Sequence, residues 1–214
     1  MELSDAVRRR RMVRSYDPGL TVADDVLHRL LDLATRAPSA GHSQGRDLLV
    51  LREGALARFW EVTADRAGPP DRWLTGMRSA PVVVLCLSDP GRYLDRYAEP
   101  DKGWTDRDEG RWPVPYWDVD TGMAAMLLLL GAVDEGLGAC FFGVPQHRHD
   151  AVREAFGVPA DRRLVGAVSL GHPAPDRRSP SLRRGRRPLA ELAHEGRFGT
   201  PFAPDRGADR PGAP

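Results

Sequence analysis

The residue type most concentrated where chemistry could occur is arginine. Arg8, Arg9, Arg10, Arg11 and Arg14 fall within seven residues, and Arg177, Arg178, Arg183, Arg184, Arg186 and Arg187 within eleven. Basic clusters from opposite ends of a chain can converge on one anion, and guanidinium forks suit a phosphate group. On composition alone the simpler reading is two solvated charge runs, or a basic tail for nucleic acid. Lysine chemistry is nearly absent, because Lys102 is the single lysine and lies in a polar stretch, Glu-Pro-Asp-Lys-Gly. With no GxxxxGK[ST] loop, a P-loop nucleotidase is excluded.

Other reactive constellations are missing. The chain has no GxSxG, no HExxH and no GxGxxG following a strand. The stretch Gly136–Phe141 lacks the last glycine and precedes a strand instead of a helix. His147 and His149 have no further ligand at a metal-binding spacing, so no metal is expected. Cys86 and Cys140 both lie in apolar runs without a CxxC partner and read as buried structural thiols.

The elements that must hold such residues follow from length and pattern. The 214 residues fit one large domain better than two. With 41% hydrophobic and 29% charged residues, a soluble globular protein is expected. The net charge of +1 gives no global field to recruit nucleic acid or a membrane. The N-terminus has no apolar h-region, and the apolar run Gly122–Val133 is shorter than the ~20 residues of a membrane span. A cytoplasmic protein is the default expectation.

Helical and strand patterns alternate along the chain. Ser4-Asp5 could cap a short helix ending in Arg8–Arg11. Thr21, with Asp24 and Asp25 behind it, opens a second helix whose stripe is Val22, Val26, Leu30, Leu33 and Ala34; Pro38 ends it. Asp47–Arg52 reads as a strand and Ala55–Ala67 as a third helix. Pro81–Ser88 is a continuous β-branched run, the mark of a strand covered on both faces. Residues 90–116 carry Tyr93, Tyr97, Trp104, Trp112 and Tyr116 without a clean period, which reads as a long excursion. Trp117–Glu135 is the strongest helix, apolar almost all round and therefore central. Gly136-Leu137-Gly138 stops it, and Ala139–Val144 reads as a strand. His149–Phe156 is an amphipathic helix capped by Gly157, and Arg163–Leu170 the last strand. Beyond His172 the chain is rich in Pro and Arg, and 197–214 reads as a disordered tail.

The order of several segments then separates the arginines. Arg10-Arg11-Met12-Val13-Arg14-Ser15-Tyr16 precedes a helix, and Ala37-Pro38-Ser39-Ala40-Gly41-His42-Ser43-Gln44 leads into a strand. Asp120-Thr121-Gly122 lies near the start of the apolar helix and GLGACFFG (Gly136–Gly143) follows it. Arg184-Gly185-Arg186-Arg187-Pro188-Leu189 closes the series. Each piece is weak alone. The ordered set, spanning roughly residues 4–195, resembles the FMN-dependent nitroreductase family.

That resemblance implies an α+β fold: a three-layer sandwich with a mostly antiparallel central sheet flanked by helices. It implies one FMN-binding domain over 1–196, in which 172–196 is a domain-swapped-like C-terminal extension. It also implies a homodimer with the central helix at the interface and FMN between subunits. Arg10, Arg11, Arg184 and Arg186 would cradle the phosphate, and Arg14 would approach the ribityl and pyrimidine side. Ser39, His42 and Gln44 would reach the flavin across the interface, and the backbone of Phe142, Gly143 and Val144 would run near flavin N5. Arg46, Tyr93, Tyr97, Trp104, Trp112, Tyr116 and Trp117 are candidates for the cleft over the ring; ordinary packing is the alternative for each aromatic. Three positions depart from the pattern: Met12 for a small hydroxyl residue, His42 for Asn, and Gly45-Arg46 for Pro-Trp.

The implied activity is hydride transfer from NAD(P)H through FMN to an electron-poor acceptor such as a nitroaromatic or quinone. Because the flavin carries the chemistry, no obligatory protein acid or base is expected. The alternatives are a specialised flavin enzyme, of the flavin-destroying benzimidazole synthase or dehalogenase type, and a non-catalytic flavin-storage protein.

Overall fold

The computed structural model describes residues 1–64, 70–176 and 179–202. Four strands form one sheet: β1 (Arg46–Arg52), β2 (Val82–Ser88), β3 (Gly138–Phe142) and β4 (Arg163–Gly171), in the order β1-β2-β4-β3. Every pairing is antiparallel. β2 is central, paired with β1 through Arg46↔Ser88 to Arg52↔Val82, and every one of its residues is buried. Its period of two explains why a run of seven apolar or small residues is needed. Val82, Val84 and Cys86 enter one core, whereas Val83, Leu85 and Leu87 enter another on the opposite face.

Helices cover both faces. On one side lie α2 (Asp24–Thr35) and α6 (Tyr116–Asp134), contributing Leu27, Leu30, Ala34, Ala124, Leu128, Leu129 and Ala132. A Cβ on Gly131 of α6 would come within 2.8 Å of Leu30 Cδ2, so this glycine sets how closely α2 and α6 pack. On the other side, α3 (Gly54–Val62), α4 (Arg72–Arg78) and α7 (His149–Phe156) supply Phe59, Trp60, Met77 and Val152. The expected α+β three-layer arrangement is therefore present. α1 (Leu3–Arg9) packs beside α6, and α5 (Pro90–Ala98) follows β2.

Several local expectations need correction. α1 starts before Ser4, whose hydroxyl accepts from Arg8 at 2.9 Å instead of capping the helix. α2 starts at Asp24, not Thr21; Val22 is still buried from the preceding segment, while Leu33 faces outward. α3 stops at Val62, where Thr63 Oγ1 donates to the Phe59 carbonyl; residues 65–67 of the expected helix lie outside the described residues. β3 ends at Phe142, two residues early. The 90–116 excursion begins as helix α5: Asp89 accepts the Arg92 N–H and Pro90 occupies the first turn. α4 has no legible period in the sequence, because it is only seven residues long and contains Gly76.

α6 matches its expected limits within a residue at each end. At 19 residues it is long and apolar enough to cross a membrane, whereas the apolar run alone reads as too short. In the fold it lies along the sheet with nine buried residues, which is the duty of a core helix.

The chain divides into two units, Met1–Asp176 and Arg177–Pro214. Within the first, residues 172–174 remain tied to the N-terminal segment, since Asp17 N–H donates to His172 O and Ala174 N–H to Ser15 O. The second holds a turn at Pro180–Arg184 and α8 (Leu189–Leu192). Its segment 193–202 folds back on itself: Glu195 N–H donates to Thr200 O, and Phe202 N–H to Ala193 O. Of the expected tail, 203–214 lie outside the described residues.

Candidate functional site

The basic segment after α1 is pinned from within. Met12 makes a parallel bridge with Ala139, and Val13 N–H donates to Ala139 O at 2.9 Å. Tyr16 sends its hydroxyl back to Val13 O at 2.7 Å and exchanges a hydrogen bond with Ser169 at 2.7 Å. Burial pushes the Tyr16 phenol well above its usual range, so it stays a protonated donor. Met12 turns toward the body, packing against both cores, and its Sδ accepts the Phe141 N–H at 3.4 Å. Arg14 folds one nitrogen onto Met12 O at 3.2 Å. A Cβ on Gly76 would stand 2.1 Å from Arg14 O, so α4 lies directly against this segment and only glycine permits it.

The guanidiniums here lack counter-charges among the described residues. Among the described residues Arg10, Arg11 and Arg14 form no ion pair, although most arginines of α2, α3, α5 and the 100–111 region do. Arg10 Nη1 is shielded from water with no hydrogen-bond partner. A buried unpaired guanidinium nitrogen is costly, and an anion would satisfy it. Arg184 and Arg186 belong to the C-terminal unit and are exposed there.

The turn 39–44 is a second constellation, and its backbone is unusual. Gly41, His42 and Gln44 have φ of 61°, 57° and 52°, a region that non-glycine residues enter at a cost. Outside contacts hold it there. Asp120 Oδ2 accepts the Ala40 N–H at 2.9 Å, and Arg96 Nε donates to Gly41 O at 3.0 Å. Ser39 Oγ accepts the Gln44 N–H at 2.9 Å, and the Gln44 and His42 side chains meet at 2.8 Å. Asparagine tolerates left-handed backbone best among non-glycine residues, which explains why a pattern with Asn at the His42 position suits this turn. Arg46 closes α2 by donating to Thr35 O and Ala37 O at 2.6 and 2.9 Å, while its Nη1 is buried without a partner. It thus caps a helix end as well as bordering the groove beside Gln44.

The expected cleft aromatics cluster with one another. Trp112 sits 4.6–6.0 Å, centroid to centroid, from Tyr93, Tyr97, Trp104, Tyr116 and Trp117. Tyr93 and Trp117 are fully inside, and Arg163 lies 5.1 Å over the Trp117 ring. The cluster backs the 39–44 turn, because a Cβ on Gly41 would touch Tyr97 at 2.8 Å. Tyr116 alone among these six is a large exposed ring.

A cavity of about 340 Å³ opens where β3 ends, lined among the described residues by Phe142, Gly143, Val144, Trp60, Trp73 and Arg78 with their neighbours. Phe142 stacks on Trp60 at 5.8 Å and 13°, and Trp73 meets its edge at 6.1 Å. A Cβ on Gly143 would meet nothing within 4 Å, so its backbone is open to an approaching molecule. Trp60, Trp73 and Arg78 were not singled out in the sequence; two tryptophans just before β2 were the available signal. None of Ser39, His42 and Gln44 lines this cavity. His42 and Gln44 border an open charged groove with Asp89, Arg92, Arg96 and Arg162. The chain therefore presents two separate constellations: residues 10–14 beside β3 and the cavity, and the 39–44 turn.

Comparison with known proteins shows what the chain is similar to. A nitroreductase family model matches residues 7–172. A protein of Archaeoglobus fulgidus, named for NADH dehydrogenase or NAD(P)H nitroreductase activity, is 28% identical over 166 residues, 77% of this chain and 81% of that one. An NADH dehydrogenase of Thermus thermophilus is 28% identical over 196 residues, 81% of this chain and 88% of its own length. A nitroreductase-like protein of Desulfovibrio desulfuricans, solved in complex with FMN, superposes with a TM-score of 0.67 at 25% identity, covering 92% and 98% of the two chains.

Proposed function

Because this chain belongs to the nitroreductase family, we propose that it is a homodimeric FMN oxidoreductase that passes reducing equivalents from NAD(P)H to an electron-poor acceptor such as a nitroaromatic or quinone. The observation that carries the reading is the basic segment 10–14, whose three guanidiniums have no carboxylate partner among the described residues and whose Arg10 Nη1 is buried and unsatisfied. The residues fit FMN on that ground: the segment offers charge-assisted donors to a phosphate, and the open backbone at Gly143 offers a close approach to a flat ring.

Bound FMN would supply the hydride acceptor and donor between the two substrates. Arg10 and Arg11 would hold the phosphate. Met12 supplies no hydroxyl there; its thioether is spent on the Phe141 N–H. Arg14 would place a fixed positive charge against the pyrimidine side, where negative charge grows on reduction. The backbone of Phe142, Gly143 and Val144 would orient the reacting edge. The 39–44 turn would come from the partner, completing the site with Ser39, His42 and Gln44.

Support for a second copy comes from an uncovered face. Val119, Met123 and Met126 recur on one side of α6 and are exposed, and Leu3 and Val7 of adjoining α1 are exposed too. Contiguous apolar residues at helical spacing call for a partner. The test is direct: the purified protein should be yellow, bleach anaerobically with NADH or NADPH, and regain colour with a nitroaromatic or quinone. A dimeric protein that neither takes up FMN nor bleaches refutes the redox reading.

A further inference from the structure

We propose that His149 is a positioning residue: its imidazole latches the Val144 carbonyl and so fixes the Phe142–Gly143–Val144 backbone for the flavin. The role rests on the function proposed above for the flavin, whereas the latch is measurable without one.

The need for a latch begins where β3 ends. Beyond Phe142 the backbone leaves the sheet ladder that held it. Gly143 is exposed, and a Cβ there would meet nothing within 4 Å, so packing does little to restrain this residue. Restraint arrives from the far side. His149 Nε2 lies 3.0 Å from Val144 O, and because a carbonyl only accepts, the ring donates from Nε2. Arg148 N–H donates to Pro145 O at 2.9 Å, so two consecutive carbonyls are held from residues 148 and 149. Pro145 narrows the path further, since a residue before proline is biased to extended backbone.

A latch needs a firm base, and α7 supplies it. Val152 is 1% exposed, and Phe156 and Val158 pack against the same core as Phe142 and Val144. Arg153 Nη2 donates to Arg162 O at 3.2 Å, just before β4. His149 thus ties a loose segment to an anchored element.

Donors and acceptors in the segment are used unequally. The Val144 and Pro145 carbonyls are occupied. The Gly143 and Val144 N–H groups donate to no protein acceptor among the described residues. Donors held in place and left unpaired suit an incoming acceptor atom, because they need not reorganise to meet it. His149 serves them through the backbone alone.

The experiment compares His149→Phe, which keeps a ring and removes the donor, with His149→Gln, which offers an N–H at similar reach. His149 is half-buried and outside both cores, and His149→Ala serves as a second donor-less variant should the larger ring disturb folding. The first readout is NMR relaxation on the full-length protein stripped of flavin. Order parameters of Gly143 and Val144 should be near ~0.85 in the parent, fall toward ~0.6 without the donor, and recover in His149→Gln. The second readout is binding of FMN and riboflavin, which share the ring and differ in the phosphate. Loss of the donor should weaken both by the same factor, about threefold to tenfold, and shift the midpoint potential of bound FMN. His149→Gln should reverse both changes. A histidine with only a structural role would lower Tm and leave the potential where it was. Unchanged order parameters in the donor-less variants, or an unchanged potential, overturns the assignment. A parent protein that binds neither flavin refutes the redox reading, and the relaxation data still decide the latch.

Discussion

Tyr93 donates its hydroxyl to Asp120 at 2.8 Å inside the body, and the same carboxylate oxygen accepts the Ala40 N–H at 2.9 Å. Burial, with Asp120 adding to it, raises the Tyr93 phenol far above its ordinary value, so the donor persists at any physiological pH. One oxygen thus ties α5, α6 and the 39–44 turn together. Tyr93→Phe should cost about 1–3 kcal/mol, because Asp120 loses a donor in a buried site. Urea unfolding with an unchanged slope checks it; a midpoint equal to that of the parent would show the bond carries no weight.

Arg10→Ala should loosen FMN by about 1.5–3 kcal/mol, the value of a charged hydrogen bond. Flavin fluorescence during dilution measures it. Arg9→Ala, with an exposed side chain outside the assigned set, serves as the control. Equal affinity in Arg10→Ala and the parent removes Arg10 from the phosphate site.

Gly76→Ala should be costly in two readouts at once. The new methyl would lie 2.1 Å from Arg14 O, so either α4 or the basic segment must shift. Overpacking of this kind costs about 1–3 kcal/mol or more. Displacement of Arg14 should also lower flavin affinity, and the two losses should appear together in a thermal melt and a flavin titration.

Glu53→Gly should stabilise the fold by about 1 kcal/mol. Glu53 has φ 48° and ψ −123° ahead of α3, a conformation suited to glycine, and its side chain caps nothing. The Tm should rise without any change in FMN content.

Stability should fall in alkali. Cys86 is fully buried, and desolvation raises its thiol from its ordinary 9 to about 12. Below pH ~9 both states hold the proton and stability is fully present; above it the unfolded chain ionises first, so stability is lost toward pH ~12. One such group gives a slope of at most about 1.4 kcal/mol per pH unit. Tyr16 and Tyr93 act with the same sign above pH ~10. Urea midpoints between pH 8 and 11 test the slope. Cys86 and Cys140 should resist a thiol reagent until the protein unfolds.

Periodicity revealed the layers more fully than the site. The runs of β2 and α6 carry their burial in consecutive residues, so their limits are legible within a residue. α4 and α5 are short, and their existence is written in caps at Asp71 and Asp89 more than in apolar spacing. The basic segment could be picked out by order, but not that Met12 would face the body, since a single side chain's direction depends on the Ala139 bridge. The cleft role expected of Tyr93 and Trp117 meets rings packed together, because an aromatic residue in an aperiodic stretch carries no record of its neighbours. Arg46, expected at the cleft, also closes α2, a contact between segments that local pattern does not encode.

The turn at 39–44 has a consequence for how this protein can change over generations. Its path is set by groups that lie elsewhere, Asp120 and Arg96 among them, and by the Ser39 hydroxyl at its own start. The side chains at 42 and 44 do not have to maintain the backbone they stand on. Natural variation can therefore exchange them, within the narrow set that accepts a positive φ, without redrawing the loop. Novelty in what the site accepts can arise there one residue at a time, while the contacts beneath it hold the loop's path.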